Sequence, residues 1–167
     1  RTRIGAIAGI QDVSFCDNPP ASESTSNTNF RFANRPEDEH WEVTTKSADA
    51  NYLQTFGLKL VAGRNYFSSD TVREVLINET TVKRLNLASA AAALGQQVKV
   101  GHYKGTVVGV VRDFNSRSLH SDISPIAIFP SYSEYYTCAV KIDPVHIHGD
   151  LAAFGKIWND TYPDYLY

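Results

Sequence analysis

Thr106 to Val111 carries valine at both parities of an extended segment, at Val107, Val108, Val110 and Val111, so it reads as a strand buried on both faces. A strand of that kind belongs at the centre of its sheet. Val98 and Val100, joined to it through a turn at Gly101 to Gly105, make its hairpin partner. A chain of 167 residues with 43% hydrophobic and 20% charged positions can bury the core such a strand requires. At about 150 residues per domain it is a single domain. The formal charge of −2, from 16 basic and 18 acidic residues, excludes a polycation or a nucleic-acid binder selected by its field. No apolar run approaches the ~18 residues of a membrane span. The start Arg1-Thr2-Arg3 lacks a signal-peptide core, and there is no Met, which leads us to expect an excised piece of a longer chain.

Elsewhere the hydrophobic period alternates between strand and helix. Ile4 to Phe15 is expected as a strand, and Asp17 to Thr28, with two prolines and no large aliphatic or aromatic side chain, as a mobile loop. Phe30 and Phe32 face Trp41 and Val43 across the polar turn Asn34 to Asp38, which predicts a second hairpin. Tyr52, Leu53 and Phe56 share a helix face that Ser47 or Asp49 can cap and Gly57 can end. Val75 to Ile77 is a brief strand, and Asn78 can cap a helix over Glu79 to Leu87 with Val82 and Leu85 inward. Ser89 to Leu94 reads as another turn or two of helix, closed by Gly95. Ile126 and Ile128, then Cys138, Val140 and Ile142, supply two further strands. A last helix starts near Asp150 with Leu151, Phe154, Ile157 and Trp158 on its apolar face; Pro163 stops it, and Tyr165-Leu166-Tyr167 follows as an extended tail. The class is α+β, with mixed or antiparallel strands in hairpins and about three short helices packed on them.

Motifs of catalysis find no anchor. Gly101, Gly105 and Gly109 fall in a hairpin and a strand, and without a G-x-x-x-x-G-K-[ST] sequence they read as turn and bulge glycines. No G-x-S-x-G elbow occurs, and the only run of carboxylates, Glu37-Asp38-Glu39, sits in a solvated turn. His146 and His148, two apart, project together from an extended segment and with Asp143 or Asp150 make the one candidate metal site; a polar loop before a helix is the competing reading. Cys16 and Cys138 lack C-x-x-C spacing, and Cys138, in an alternating apolar strand, reads as a small core residue. Tyrosines gather at Tyr132, Tyr135 and Tyr136 and at Tyr162, Tyr165 and Tyr167, a pattern that suits a contact surface as well as half-buried strand positions.

The order of segments says more than any single residue. Ala50-Asn51-Tyr52-Leu53-Gln54-Thr55-Phe56-Gly57-Leu58 is followed by Leu60-Val61-Ala62-Gly63-Arg64-Asn65-Tyr66-Phe67, then by Val75-Leu76-Ile77-Asn78-Glu79-Thr80, Leu94-Gly95-Gln96 and Val107-Val108-Gly109-Val110-Val111-Arg112-Asp113-Phe114. This succession resembles the extracytoplasmic core domain of MacB/FtsX-type ABC transporter permeases, in wording nearest those of the Bacteroidetes type. The resemblance implies scaffold roles for Tyr52, Gly57, Gly63, Arg64, Asn78, Glu79, Gly95, Gly109 and Asp113, with no catalytic, cofactor or metal residue. It implies a domain on the periplasmic side of the inner membrane, held between the first and second transmembrane helices of a permease. The implied partners are a cytoplasmic ATP-binding subunit, a second permease copy, and an envelope protein, peptide, lipoprotein or small molecule outside the membrane. Only short loops separate the strands, so the long inserted second lobe of larger members is expected to be missing. Two rival readings remain, a free-standing envelope ligand-binding or adhesion module and a metal-dependent hydrolase built on His146 and His148.

Overall fold

Alternating apolar positions become strands here because each strand has a buried face to fill. The computed structural model describes residues 1–22, 24–116 and 121–165. In chain order the elements are α1 (Thr2–Gly5), β1 (Ile10–Cys16), β2 (Ser26–Phe32), β3 (Glu42–Ser47), α2 (Tyr52–Phe56), β4 (Leu60–Gly63), β5 (Glu74–Asn78) and α3 (Glu79–Arg84). After a 3₁₀ turn at Ala90–Ala93 come β6 (Gln97–Val100), β7 (Tyr103–Val111), β8 (Ile126–Phe129), a 3₁₀ turn at Tyr132–Glu134, β9 (Thr137–Ile142) and α4 (Ile147–Thr161).

The main sheet has seven strands in the order β4-β7-β5-β8-β3-β2-β6, and β6 pairs with β7 as well, so the ladder closes on itself. The valine-rich strand is its hub. One edge of β7 pairs in parallel with β5, while its other edge takes β6 against its first half and β4 against its second. A second parallel pair joins β3 to β8, and β1 and β9 form a separate two-stranded antiparallel sheet. The class is the α+β one expected, with mixed pairing.

Two cores lie on opposite faces of the main sheet. Val75 and Ile77 of β5 join Phe30, Val107, Val110 and Phe129 in one cluster, covered by Val82 and Leu85 and by Ala93. Leu76, between them, points the other way and joins Ile126 and Ile128 under Tyr52, Leu53, Tyr66 and Cys16. The parity of β5 thus decides which core each side chain enters. Asn78 ends β5 and caps α3 as expected, its side chain accepting from Thr81 N at 3.0 Å.

Several expectations need correction. Thr2–Gly5 is a helical turn, and the first strand begins only at Ile10. Ser26 to Thr28, expected in a loop, pair with β3, whose exposed backbone offers them a ladder. Ser47 stays in β3 and α2 starts at Tyr52 with Asn51 at its N-cap, while the Asp49 carboxylate accepts from Asn51 N at 3.0 Å. Helix α3 stops at Arg84 because Asn86, at φ +55°, turns the chain. The turn before β7 is tighter than Gly101 to Gly105, since Tyr103 already pairs with Val100. Leu60–Gly63, to which the sequence pattern assigned no element, docks on β7 as an edge strand. Beyond Pro163 the chain turns back, with Tyr165 N bonded to Tyr162 O at 3.1 Å; Leu166 and Tyr167 lie outside the described residues.

Candidate functional site

The residues singled out in the sequence fall at three junctions. At the first, Asn78 is fully buried and its side chain serves three elements. Oδ1 accepts from Thr81 N and Oγ1 of α3 at 3.0 and 2.7 Å and from Ile126 N of β8 at 2.9 Å. Nδ2 donates to Asp113 Oδ1 and to Ser124 O, each at 2.9 Å. Asp113 in turn accepts from Thr80 N at 2.8 Å and Thr80 Oγ1 at 2.9 Å, and Glu79 Oε2 accepts from Asp113 N at 3.0 Å. The chain leaving β7 is therefore stitched to the positive end of α3 by two carboxylates, each facing unsatisfied backbone donors.

At the second junction β4 passes close to β7. Gly63 has φ +72°, and a Cβ there would stand 2.2 Å from Val108 O; one on Gly109 would stand 2.3 Å from Arg64 O. Only hydrogen fits at either place. The approach directs Arg64 outward, where Nη1 donates to Glu74 Oε2 at 3.0 Å and the guanidinium lies 4.2 Å above the Phe67 ring. The Arg64 hydrogen bond holds the Glu74 carboxyl below the ordinary carboxylate range.

The third junction fastens the two-stranded sheet to the main one. Tyr52 is fully buried and its hydroxyl donates to Asn18 O at 3.1 Å. Asp49 accepts from Ser14 Oγ at 2.9 Å and Phe15 N at 2.8 Å, and pairs with Arg1. Gly57 and Gly95, at φ +68° and +76°, close the turns after α2 and after the 3₁₀ turn.

Between the β2–β3 hairpin, the β6–β7 turn and the Tyr132–Glu134 turn opens a polar cleft of about 580 Å³, with Asp17, Asn27, Thr45, His102, Tyr103 and Glu134 among its walls. Glu134 accepts from Tyr103 Oη at 2.8 Å and from Ser47 Oγ. Lys46 is 1% exposed and its Nζ donates to Pro19 O at 2.9 Å. Burial pushes the Lys46 ammonium below its ordinary value against the pull of Asp17, and burial raises the Asp17 carboxyl. The sequence reading did not mark Lys46 or Glu134, and nothing local distinguishes them: a lysine in a short strand reads as solvated until a distant loop is found to cover it.

The other sequence candidates do not assemble. His146 sits at the N-cap of α4 and His148 lies one residue inside it, so helical geometry sends the two imidazoles apart, in place of the extended segment expected. Among the described residues no group of three His, Cys, Asp or Glu side chains is gathered to hold a metal. Cys138 is exposed and not the core residue expected, and it and buried Cys16 are both free thiols. Tyr132, Tyr136, Tyr162 and Tyr165 are exposed. No helix among the described residues is long and apolar enough to cross a membrane.

In this α+β scaffold the singled-out polar residues Asn78, Glu79, Arg64 and Asp113 fasten one element to another. The chain belongs to the family of MacB-like periplasmic core domains, whose model matches residues 7–147. Its fold is similar to the extracellular domain of the noncanonic ABC-type transporter YknZ from Gram-positive bacteria, with a TM-score of 0.67, 16% identity, and 97% of this chain aligned to 81% of that one. It is also similar to the periplasmic region of MacB from Actinobacillus actinomycetemcomitans, at TM-score 0.65 and 19% identity over 96% of this chain and 71% of that one. A domain of a putative permease from Porphyromonas gingivalis gives TM-score 0.62 at 16% identity, covering 95% of this chain and 73% of that one. No curated sequence matches the chain. Permeases of this family work with cytoplasmic ATPase components.

Proposed function

We propose that residues 1–167 form one extracytoplasmic domain of an ABC transporter permease, held between two transmembrane helices on the periplasmic side of the inner membrane. It acts as a passive lever: ATP hydrolysis by a separate cytoplasmic subunit biases two arrangements of the full transporter, and the domain carries that change to a substrate or partner outside the membrane. The family match supports this reading, and one observation carries the mechanical part. Asn78, Glu79 and Asp113 join β5, β8, α3 and the chain leaving β7 through hydrogen bonds of 2.8–3.0 Å, which supports a block whose elements move together. The motif residues are then proposed to be structural, with no catalytic group among them.

The test uses the full-length permease with its ATPase in proteoliposomes. Deleting the segment that matches the family, residues 7–147, is expected to leave basal ATP hydrolysis and abolish transport or action on the outer partner. Unchanged transport overturns the lever. The polar cleft favours a second reading, a free-standing envelope module that binds a polar ligand there. Hydrophobic segments of about 20 residues flanking the domain in the native gene decide for the permease, and a secretion signal or lipobox decides for the module.

A further inference from the structure

A second cavity, of about 390 Å³, opens where the Tyr132–Glu134 turn faces β1, and Phe15, Asp49, Ser68, Tyr132, Tyr135 and Arg1 line it. Its floor is charged. The Asp49 side chain is 8% exposed, held in place by Ser14 Oγ, Phe15 N and Asn51 N, so its orientation is set before any ligand arrives. Its walls are aromatic: the Tyr132 and Tyr135 rings stand 5.3 Å apart at 49°, and Phe15 lines the cavity with them. The Tyr135 hydroxyl is buried and, among the described residues, has no hydrogen-bond partner. A buried hydroxyl left unpaired is costly and marks a place where a polar group is missing.

Arg1 shows what kind of group the cavity takes. Its guanidinium pairs with Asp49 and lies 5.3 Å from the Phe15 ring centroid, a carboxylate and an aromatic face meeting one planar cation. Yet Arg1 enters from the rim, its side chain 43% exposed, and leaves the Tyr135 hydroxyl unserved and much of the volume open. A guanidinium carries five N–H donors, enough for Asp49 and for the Tyr135 oxygen together. We infer that Asp49, Phe15, Tyr132 and Tyr135 form a recognition pocket for an arginine side chain of a basic peptide segment, with Arg1 as a resident occupant that an incoming arginine displaces. The aromatic faces stack on the guanidinium and the carboxylate selects the cation, which is the division of labour such pockets require. The site does not depend on the transport reading, and its test needs neither the membrane nor the ATPase.

The probe is N-acetyl-arginine amide, titrated into the chain and followed by NMR shifts of the Phe15, Tyr132 and Tyr135 rings, with N-acetyl-citrulline amide as the neutral isostere. Arg1→Ala is expected to bind the arginine probe about tenfold more tightly than the unaltered chain, because the tethered competitor is gone. The citrulline probe is expected to bind at least ~tenfold more weakly, having lost the charge-assisted bond. Tyr135→Phe in the Arg1→Ala chain separates recognition from structure: it weakens the probe by roughly fivefold while leaving thermal stability equal or higher, since it removes an unpaired buried hydroxyl. Asp49→Asn abolishes binding, and because Asp49 also holds β1, the Tyr135 variant decides the case where that one fails to fold. No saturable shift in Arg1→Ala, equal binding of citrulline, or indifference to Tyr135→Phe each overturns the pocket.

Discussion

Strand β5 and helix α4 both carry an apolar face, and they meet opposite fates. Val75, Leu76 and Ile77 are fully buried, because the main sheet is covered on both sides. The 15 residues of α4 include only one buried side chain among the described positions, Asp150, while Leu151 and Trp158 stay 46% and 38% exposed. Helix α4 is held chiefly at its ends. Gly9 N donates to Asp150 Oδ1 at 3.3 Å at one end, and Arg3 meets Thr161 Oγ1 at 3.0 Å and Asp160 at 3.3 Å at the other. The contrast teaches where rigidity is expected: the sheet and its junctions, closed on both sides, are expected to open only with global unfolding, and α4 is expected to open first.

The sharpest way to break that contrast is in the sheet. Ile77→Ala leaves a void in a core closed on every side and is expected to lower stability by about 2–5 kcal/mol, read from urea unfolding. A loss comparable to that of a surface change would show that the sheet is no firmer than the helix. Asn78→Ala comes next. It strands Thr81 N, while Ile126 N and Thr81 Oγ1 keep only the bonds between those two residues, and a cost of about 1–3 kcal/mol is expected in the same measurement. Thiol chemistry draws the same contrast of closed against open positions within the two-stranded sheet, without altering stability. Burial, then Asp17 and Asp49, push the Cys16 thiol up to about 12, so it resists alkylation until the domain unfolds, whereas exposed Cys138 is labelled in the native state. Equal labelling rates would dissolve the distinction.

Acid titration sharpens it further. Glu74 has a folded value below its unfolded one, so its contribution is complete above the ordinary carboxylate range and is lost as pH falls through the lowered value. Asp17 runs the other way. Its folded value is raised by burial, so it favours the fold below the ordinary range and that advantage goes as pH rises through the raised value. Glu74→Gln is expected to flatten the acid limb of the stability profile, and Asp17→Asn to shift its slope in the opposite sense; chemical denaturation across the carboxylate range reads both. The smallest effect belongs to α4, where Leu151→Ala is expected to change stability by no more than ~0.5 kcal/mol.

What was legible in the sequence was local. The parity of Val107 to Val111, the cap at Asn78 and the stop at Gly57 each depend on residues within a few positions, and period and capping chemistry act at that range. The order of the motif blocks carried the family, because a succession of local elements is itself a linear signal. The tertiary structure alone decided the rest. Asp113 finds Thr80 across 33 positions, Asp49 finds Ser14 across 35, and β4 reaches β7 only where Gly63 and Gly109 let two backbones touch. It also decided that Lys46 is buried, that His146 and His148 diverge, and that the buried Tyr135 hydroxyl has no hydrogen-bond partner among the described residues. A chain's neighbours along its length set its elements. Which side chains desolvate together depends on how those elements close on one another, and that is written in no single stretch of residues.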